Sequence, residues 1–173
     1  KGYGADVCLV PGVYDDAYQK AIELRDEKGY TFVHPFDDPN VIAGQGTIGL
    51  ELIDQVKDMD AVVVPVGGGG LINGVQAAGA ASMVQSLHVH KRECLSSVST
   101  IADGICVKEP GELTYEICSK YVDDIVTVSE DEICAAILQL LEKEKVVAEG
   151  AGATSVAAVM FNKVPVKGKK VVC

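Results

Sequence analysis

Positive charge is scarce in this sequence. Its 173 residues include 15 lysines and arginines against 25 aspartates and glutamates, which gives a net charge of −10 and an isoelectric point of about 4.7. Proteins that bind nucleic acid usually carry a basic face that neutralises phosphates. The composition therefore predicts no nucleic-acid partner.

Long apolar runs are also missing. No stretch approaches the roughly 20 residues that cross a bilayer as a helix, and no basic segment followed by an apolar one marks a secretory leader. The six cysteines have no Cys-x-x-Cys spacing, and most lie in apolar patterns, as buried free thiols do. We therefore expect no membrane partner and a reducing, cytoplasmic location.

Histidine is equally sparse, with single residues at positions 34, 88 and 90. His88 and His90 are separated by one residue. This spacing suits zinc, but a solvated loop shows it as well. The histidines form no recognisable ligand set. The sequence therefore predicts no metal site.

What the sequence does have is a β-branched run that ends in four glycines. Ala61–Val66 is apolar throughout, which is typical of a strand buried on both faces, and Gly67–Gly70 follow it directly. Glycine adopts positive φ at an entropic cost, so a functional reason is expected. Successive backbone N–H groups in such a loop, with a helix N-terminus beyond them, bind a phosphate. A flexible linker is the alternative interpretation.

Strand and helix patterns alternate along the chain, which indicates an α/β fold with a mainly parallel sheet. The predicted strands are Ala5–Val10, Tyr30–Val33, Ala61–Val66, Asp124–Val128 and Lys169–Cys173. The predicted helices cover 15–28, 43–57, 80–87, 111–121 and 129–141, with a further helix from Leu71. Val146–Ala153 leads into a helix of small residues that runs to about Phe161, and loops cover His34–Asn40 and Ser96–Gly104. Ser129 and Glu132 have capping-box spacing, which makes this the clearest helix start.

Gly44, Gly46 and Gly49 fit the pattern Gly-x-Gly-x-x-Gly of dinucleotide-binding folds. The strand that this motif requires before it is too short here, and no acidic residue follows the next strand. Small residues at a closely packed helix start are therefore the preferred interpretation.

Four stretches, in this order, resemble the threonine dehydratase (threonine ammonia-lyase) family, especially its short catabolic type. They are His34–Thr47, Val64–Leu71, Ser99–Gly104 and Val147–Ala153. That family belongs, with serine racemase, to the fold type II (tryptophan-synthase-β-like) pyridoxal-phosphate enzymes. The resemblance implies a three-layer αβα fold with a mainly parallel sheet, of which this is a partial chain. It assigns residues 1–58 to the small domain and the return from it, and residues 59–173 to the large cofactor-binding domain.

The resemblance also implies a site for pyridoxal 5'-phosphate. The cofactor phosphate would be bound by the amides of Gly67, Gly68, Gly69, Gly70 and Leu71, in agreement with the glycine run itself. Gly104, together with Asp103, would lie beside the cofactor ring. Glu149 would lie near the pyridine ring, although the helix dipole alone favours a carboxylate at a helix start. The loop His34–Phe36 would lie near the mouth of the substrate cleft or form a plain surface loop.

Some elements of the family pattern are missing. The lysine that holds the cofactor as a Schiff base lies upstream of Lys1 in the family, so no catalytic residue is predicted. About one helix–strand unit of the family is absent before Gly74, either because the sequence skips residues or because it carries a deletion. Serine racemases bind a divalent cation near the segment matching Gln76 to Ser82. Gln76 and Ser82 replace the acidic ligands, so no metal is expected there.

The expected activity is the pyridoxal-phosphate-dependent elimination of L-threonine or L-serine to a 2-oxo acid and ammonia. The expected partners are a small amino-acid substrate, a nucleotide effector and further copies of the chain in a homodimer or homotetramer. Without the lysine, the chain alone is expected to be inactive. A serine-racemase-like enzyme and a non-catalytic phosphate-binding fragment remain as alternatives.

Overall fold

The computed structural model describes residues 2–70 and 74–173, and the chain divides into two compact units after Val33. The first unit is built around helix α1 (Tyr14–Lys28). The Asp16 carboxylate accepts the Val13 N–H at the start of α1, and Gly29 ends the helix with a φ of 69°. Both ends of this helix were indicated by the sequence, since acidic residues favour a helix start and glycine a helix end.

Two predicted strands of the first unit are wrong. Ala5–Val10 and Tyr30–Val33 have no regular secondary structure. A strand is stabilised by its hydrogen-bonded neighbour. Neither segment is paired in a sheet with any residue that the structure describes. The apolar character of these two segments was therefore not sufficient evidence for strands.

The second unit, His34–Cys173, contains the other helices and all four strands of the described chain. They are α2 (Pro39–Gln55), β1 (Ala61–Val62), β2 (Gly74–Ala77), α3 (Ser82–His88), α4 (Glu112–Tyr121), β3 (Ile125–Val128), α5 (Glu130–Gln139), α6 (Gly150–Met160) and β4 (Val171–Val172). A short π-helical turn, Leu140–Glu144, extends α5. The assignment of residues 1–58 and 59–173 to the two domains of a complete enzyme stays a prediction.

The strands form a parallel arrangement, as predicted. β1 pairs with β4 and β2 pairs with β3, in both cases in parallel. A bridge between Pro65 and Val75 joins the two pairs, and the Val66 N–H donates to the Val75 carbonyl at 2.8 Å. The resulting order across the sheet is β4-β1-β2-β3.

Helices cover both faces of the sheet, which confirms the three-layer αβα prediction. Val63, Val75 and Val128 pack in one core with Ala153 and Ala157 of α6 and Ile133 of α5. On the opposite face, a second core joins Val66 to Met83 of α3 and Cys118 of α4. No helix within residues 2–70 and 74–173 is both long enough and apolar enough to cross a membrane.

The helix predicted from Leu71 fails from Gly74 onward, while Leu71 itself lies outside the described residues. Gly74–Ala77 is strand β2, because all four residues pair in register with Ile125–Val128. The absence of about one helix–strand unit before Gly74 stays a prediction. Another correction concerns α2, which begins four residues before the predicted start. Asp38 caps it by accepting the N–H groups of Asn40 and Val41.

Candidate functional site

The loop Gly67–Gly70 lies at the carboxyl end of the first sheet segment, directly after Val66. Gly68 and Gly69 are buried. None of the four glycine N–H groups donates to an acceptor among residues 2–70 and 74–173. Buried amides without an acceptor are costly and rare in proteins. The loop therefore presents consecutive donors that require a ligand or water.

Glycine is required at these positions by close packing. Gly69 has a φ of 102°, and a Cβ atom there would lie 2.6 Å from the Thr114 Cβ. A Cβ atom on Gly68 would overlap the Phe36 ring, and one on Gly70 would lie 2.7 Å from the Phe36 Cβ. Side chains on this loop would therefore displace the structure around it.

The Gly68 carbonyl fixes the orientation of the loop. It accepts the Thr114 hydroxyl at 2.5 Å and the Gly111 N–H at 3.2 Å. In a trans peptide the carbonyl and the following N–H point in opposite directions. The Gly69 N–H is therefore directed away from the start of α4, where the Gly68 carbonyl is engaged.

Phe36 is held under the loop by a short turn that begins at His34. The His34 Nδ1 accepts the N–H groups of Phe36, at 3.2 Å, and Asp37, at 2.8 Å. The two rings meet edge to face, with their centroids 4.7 Å apart. No decisive signal for this support is visible in the sequence, since a plain surface loop explained His34–Phe36 nearly as well.

The other predicted site residues converge on the same edge of the sheet. A Cβ atom on Gly67 would lie 3.0 Å from the Cα of Ile105, in the turn Asp103–Ile105. A Cβ atom on Gly104 would lie 3.5 Å from the Glu149 Oε2. Residues far apart in sequence are thus neighbours here, as ligand sites at the carboxyl ends of parallel strands require.

Glu149 is the N-cap of α6. Its Oε1 accepts the Gly152 N–H at 3.1 Å, and the carboxylate is exposed to solvent. The helix packs closely at this end, since a Cβ atom on Gly150 would lie 2.6 Å from the Ile101 carbonyl oxygen. The helix-start interpretation of Glu149 is confirmed. Its place near the pyridine ring stays a prediction.

Gln76–Ser82, the segment compared with the cation site of serine racemases, makes hydrogen bonds within the protein. The buried Gln76 side chain donates to the Val66 carbonyl at 3.1 Å and accepts the Val84 N–H at 2.8 Å. The Ser82 hydroxyl is buried and meets no partner in the described part of the chain. A single hydroxyl does not make a metal site. The expected absence of a metal stays a prediction.

Comparison with known proteins identifies the family. The family model described as "Pyridoxal-phosphate dependent enzyme" matches residues 1–173. The chain belongs to this family. Its cofactor is pyridoxal phosphate, and the fold is that of the type II enzymes.

The similarities to individual proteins agree with this assignment. The chain is 51% identical over 187 aligned positions to the L-threonine ammonia-lyase of Thermotoga maritima, with 99% of the chain and 46% of the relative covered. The processed form of threonine deaminase isoform 2 from Solanum lycopersicum matches with a TM-score of 0.88 and 39% identity, covering 99% of this chain and 55% of that one. Maize serine racemase matches with a TM-score of 0.86 and 29% identity, covering 99% and 58%. The chain thus spans about half the length of the curated relatives it matches.

The glycine loop fits the phosphate of this cofactor. A phosphate group requires several convergent donors and close backbone approach. The loop offers four amides without described acceptors and no side chains that would fill the space. Leu71, the fifth predicted phosphate ligand, lies outside the described residues, and the assignment of all these residues stays a prediction.

Proposed function

We propose that this chain forms the phosphate-binding part of the site of a pyridoxal-phosphate-dependent ammonia-lyase that acts on L-threonine or L-serine. The observation that carries the proposal is the set of N–H groups of Gly67–Gly70 without described acceptors. Relatives named L-threonine ammonia-lyase support the choice of reaction. The catalytic lysine is proposed to lie outside this chain.

The residues of this chain would bind the cofactor and orient it. The N–H groups of Gly67–Gly70 would donate to the phosphate. Gly104 has no side chain, so the space between its turn and Glu149 would stay open. Glu149, fixed by the Gly152 N–H, would present a carboxylate acceptor at the start of α6. When bound, pyridoxal phosphate supplies an electron sink for negative charge that develops at the substrate Cα.

The proposal also covers the location, the assembly and the regulation of the enzyme. It includes a cytoplasmic location, a homodimer or homotetramer, and a nucleotide effector. The six cysteines support the location because all are free, although only Cys118 is buried. Size-exclusion chromatography with light scattering of the full gene product, with and without nucleoside monophosphates, tests the assembly and the effector.

The decisive experiment uses the product of the full gene that contains this chain. Incubation with L-threonine is expected to release 2-oxobutanoate and ammonia, and incubation with L-serine to release pyruvate. Borohydride should trap the cofactor on a lysine. If purified, cofactor-loaded protein forms no 2-oxo acid, the proposal is wrong.

A serine-racemase-like activity is the second candidate, supported by the similarity to maize serine racemase. Chiral chromatography of the same L-serine reaction separates the two functions. D-serine formed faster than pyruvate would favour the racemase. A non-catalytic phosphate-binding fragment is the third candidate, and a lysine-bearing segment of the family pattern upstream in the full gene would rule it out.

A further inference from the structure

The turn His34–Asp37 closes on a ring nitrogen instead of a backbone carbonyl. The Nδ1 atom of His34 accepts two N–H groups, from Phe36 at 3.2 Å and from Asp37 at 2.8 Å. A neutral imidazole has one nitrogen that accepts, whereas an imidazolium donates from both nitrogens. His34 therefore holds this turn only in its neutral form, with the ring proton on Nε2.

The turn supports the glycine loop through both of the residues that are bound to Nδ1. The Phe36 side chain fills the space beside Gly68 and Gly70, since a Cβ atom on either glycine would collide with it. The Asp37 carboxylate accepts the Thr114 N–H at 3.2 Å, and the Thr114 hydroxyl donates to the Gly68 carbonyl at 2.5 Å. A change at the imidazole would therefore reach the loop by packing and by hydrogen bonding.

Protonation of the imidazole would break the turn. Histidine is the side chain that normally gains a proton between about pH 8 and pH 5. A proton on Nδ1 would face the two backbone N–H groups, so both hydrogen bonds would be lost. Acidification would then release Phe36 and Asp37 from the positions in which they support the loop.

The titratable side chains around the turn are carboxylates. Asp37 and Asp38 lie on the turn and accept helix N–H groups, and Glu112 lies at the start of α4. The glycine loop has no titratable side chain, and the first charged side chain within α2 is Glu51, several turns along that helix. A proton that these carboxylates attract to the imidazole still removes the acceptor on which the turn depends.

We propose that His34 is a positioning residue that makes anion binding by Gly67–Gly70 depend on pH. The neutral ring holds the turn and the loop in the binding arrangement, and the protonated ring releases them. This inference rests on the proposed function, because it assigns a regulation to the same phosphate loop. Its sign differs from that of simple charge attraction. An imidazolium that only attracted the anion would strengthen binding at low pH, whereas release of the loop weakens it.

The experiment titrates this chain with sulfate at about pH 8 and at about pH 5.5, at constant ionic strength, and follows the amide NMR signals of Gly67–Gly70. Sulfate is the probe because it keeps its charge over this range, whereas a phosphate group titrates within it. The sulfate affinity is expected to fall about threefold or more on acidification, since only the fraction of molecules with a neutral His34 is competent to bind.

Three variants separate the titration of the side chain from its support of the turn. In His34→Asn the side chain accepts the N–H groups of the following residues but gains no proton, so the affinity should change with pH by less than about twofold. His34→Leu has no acceptor and should bind sulfate weakly at both pH values. His90→Asn is the matched control, because His90 is exposed and its φ of 55° suits asparagine. It should keep the pH dependence of the wild type.

The same spectra without sulfate follow the turn itself. On acidification the amide signals of Phe36, Asp37 and Gly68 should shift together in the wild type and move far less in His34→Asn. The proposal is overturned if these signals do not shift together, if sulfate binds with an affinity that rises or stays constant as the pH falls, or if His34→Asn keeps the wild-type pH dependence. Signals that shift together without sulfate binding at either pH would support the control of the loop by His34 and count against the phosphate site.

Discussion

The Asp37 carboxylate caps helix α4 across 75 residues of sequence. Its Oδ2 accepts the Glu112 N–H at 3.0 Å, and its Oδ1 accepts the Thr114 N–H at 3.2 Å. Thr114 in turn donates its hydroxyl to the carbonyl of Gly68. One carboxylate thus fixes the helix start that orients the glycine loop.

Removal of this carboxylate should destabilise the protein. Asp37→Ala leaves two helical N–H groups without their acceptor and is expected to lower the free energy of unfolding by about 1–2 kcal/mol. Urea denaturation followed by circular dichroism measures the loss. Asp54→Ala is the control, because the Asp54 side chain is 91% exposed on α2. It should change stability by less than about 0.5 kcal/mol. Equal losses for the two variants would contradict the capping role.

Two glycine-to-alanine changes should have opposite effects. Gly69→Ala forces a Cβ atom against Thr114 at a φ of 102° and is expected to cost about 1–3 kcal/mol. Gly44→Ala lies within α2 with no atom within 4 Å of the new Cβ, and is expected to stabilise the chain by up to about 1 kcal/mol. Thermal unfolding compares them, and isothermal titration with inorganic phosphate should show binding lost only in Gly69→Ala. Loss of phosphate binding in both variants would argue against the loop as the anion site.

Glu132 should make part of the stability depend on pH. Partial burial disfavours its charge, but Lys163 at 2.9 Å and the Ser129 N–H at 2.8 Å outweigh this and hold the pKa of Glu132 below its usual value. A lowered folded-state pKa contributes stability above the unfolded-state pKa, and this is lost as the pH falls through the folded value.

Glu132→Gln keeps an acceptor for Ser129 and removes the charge. The stability difference between wild type and this variant should therefore be larger near about pH 6 than near about pH 3. Urea unfolding at both pH values measures it. A difference that does not change with pH would show that the Lys163 contact contributes nothing electrostatic.

Cys118 should be the least reactive thiol. Burial raises its pKa to about 11, whereas Cys8, Cys94 and Cys134 are exposed. At pH 8 only about 0.1% of a thiol with that pKa is thiolate, the reactive form. Peptide mapping after brief iodoacetamide treatment should find the exposed cysteines modified and Cys118 intact, and urea should abolish the difference. Early modification of Cys118 in the folded chain would contradict its burial.

Local signals in the sequence predicted the elements that depend on neighbouring residues. The Ser129 N–H donates to Glu132, and the Glu132 N–H donates to Ser129, as capping-box spacing indicated. Gly29 ends α1 for an equally local reason. Strand predictions failed where pairing with a neighbouring strand determines the structure. Ala5–Val10 lacks a described partner strand and forms none, whereas Gly74–Ala77 forms a strand because it pairs with Ile125–Val128.

The candidate site shows the same division. The glycine loop could be found because a run of glycines after a buried strand is visible in the sequence. The approach of Gly104 to Glu149 came only from the resemblance, since nothing in their spacing indicates it. The support of the loop by Phe36 and Asp37 was missed. Contacts between residues separated by 75 positions leave no periodic pattern.

The pairing of β1 with β4 has a consequence for how the chain folds. The Lys170 N–H donates to Asp60 across 110 residues, next to the register of Ala61 with Val171. Such a distant contact pays a large loop-closure entropy before it contributes any stability. During synthesis this edge of β1 therefore stays unpaired, and open to other chains, until β4 has been made. Refolding yield should accordingly fall with protein concentration more steeply than for a sheet whose neighbouring strands are consecutive in sequence.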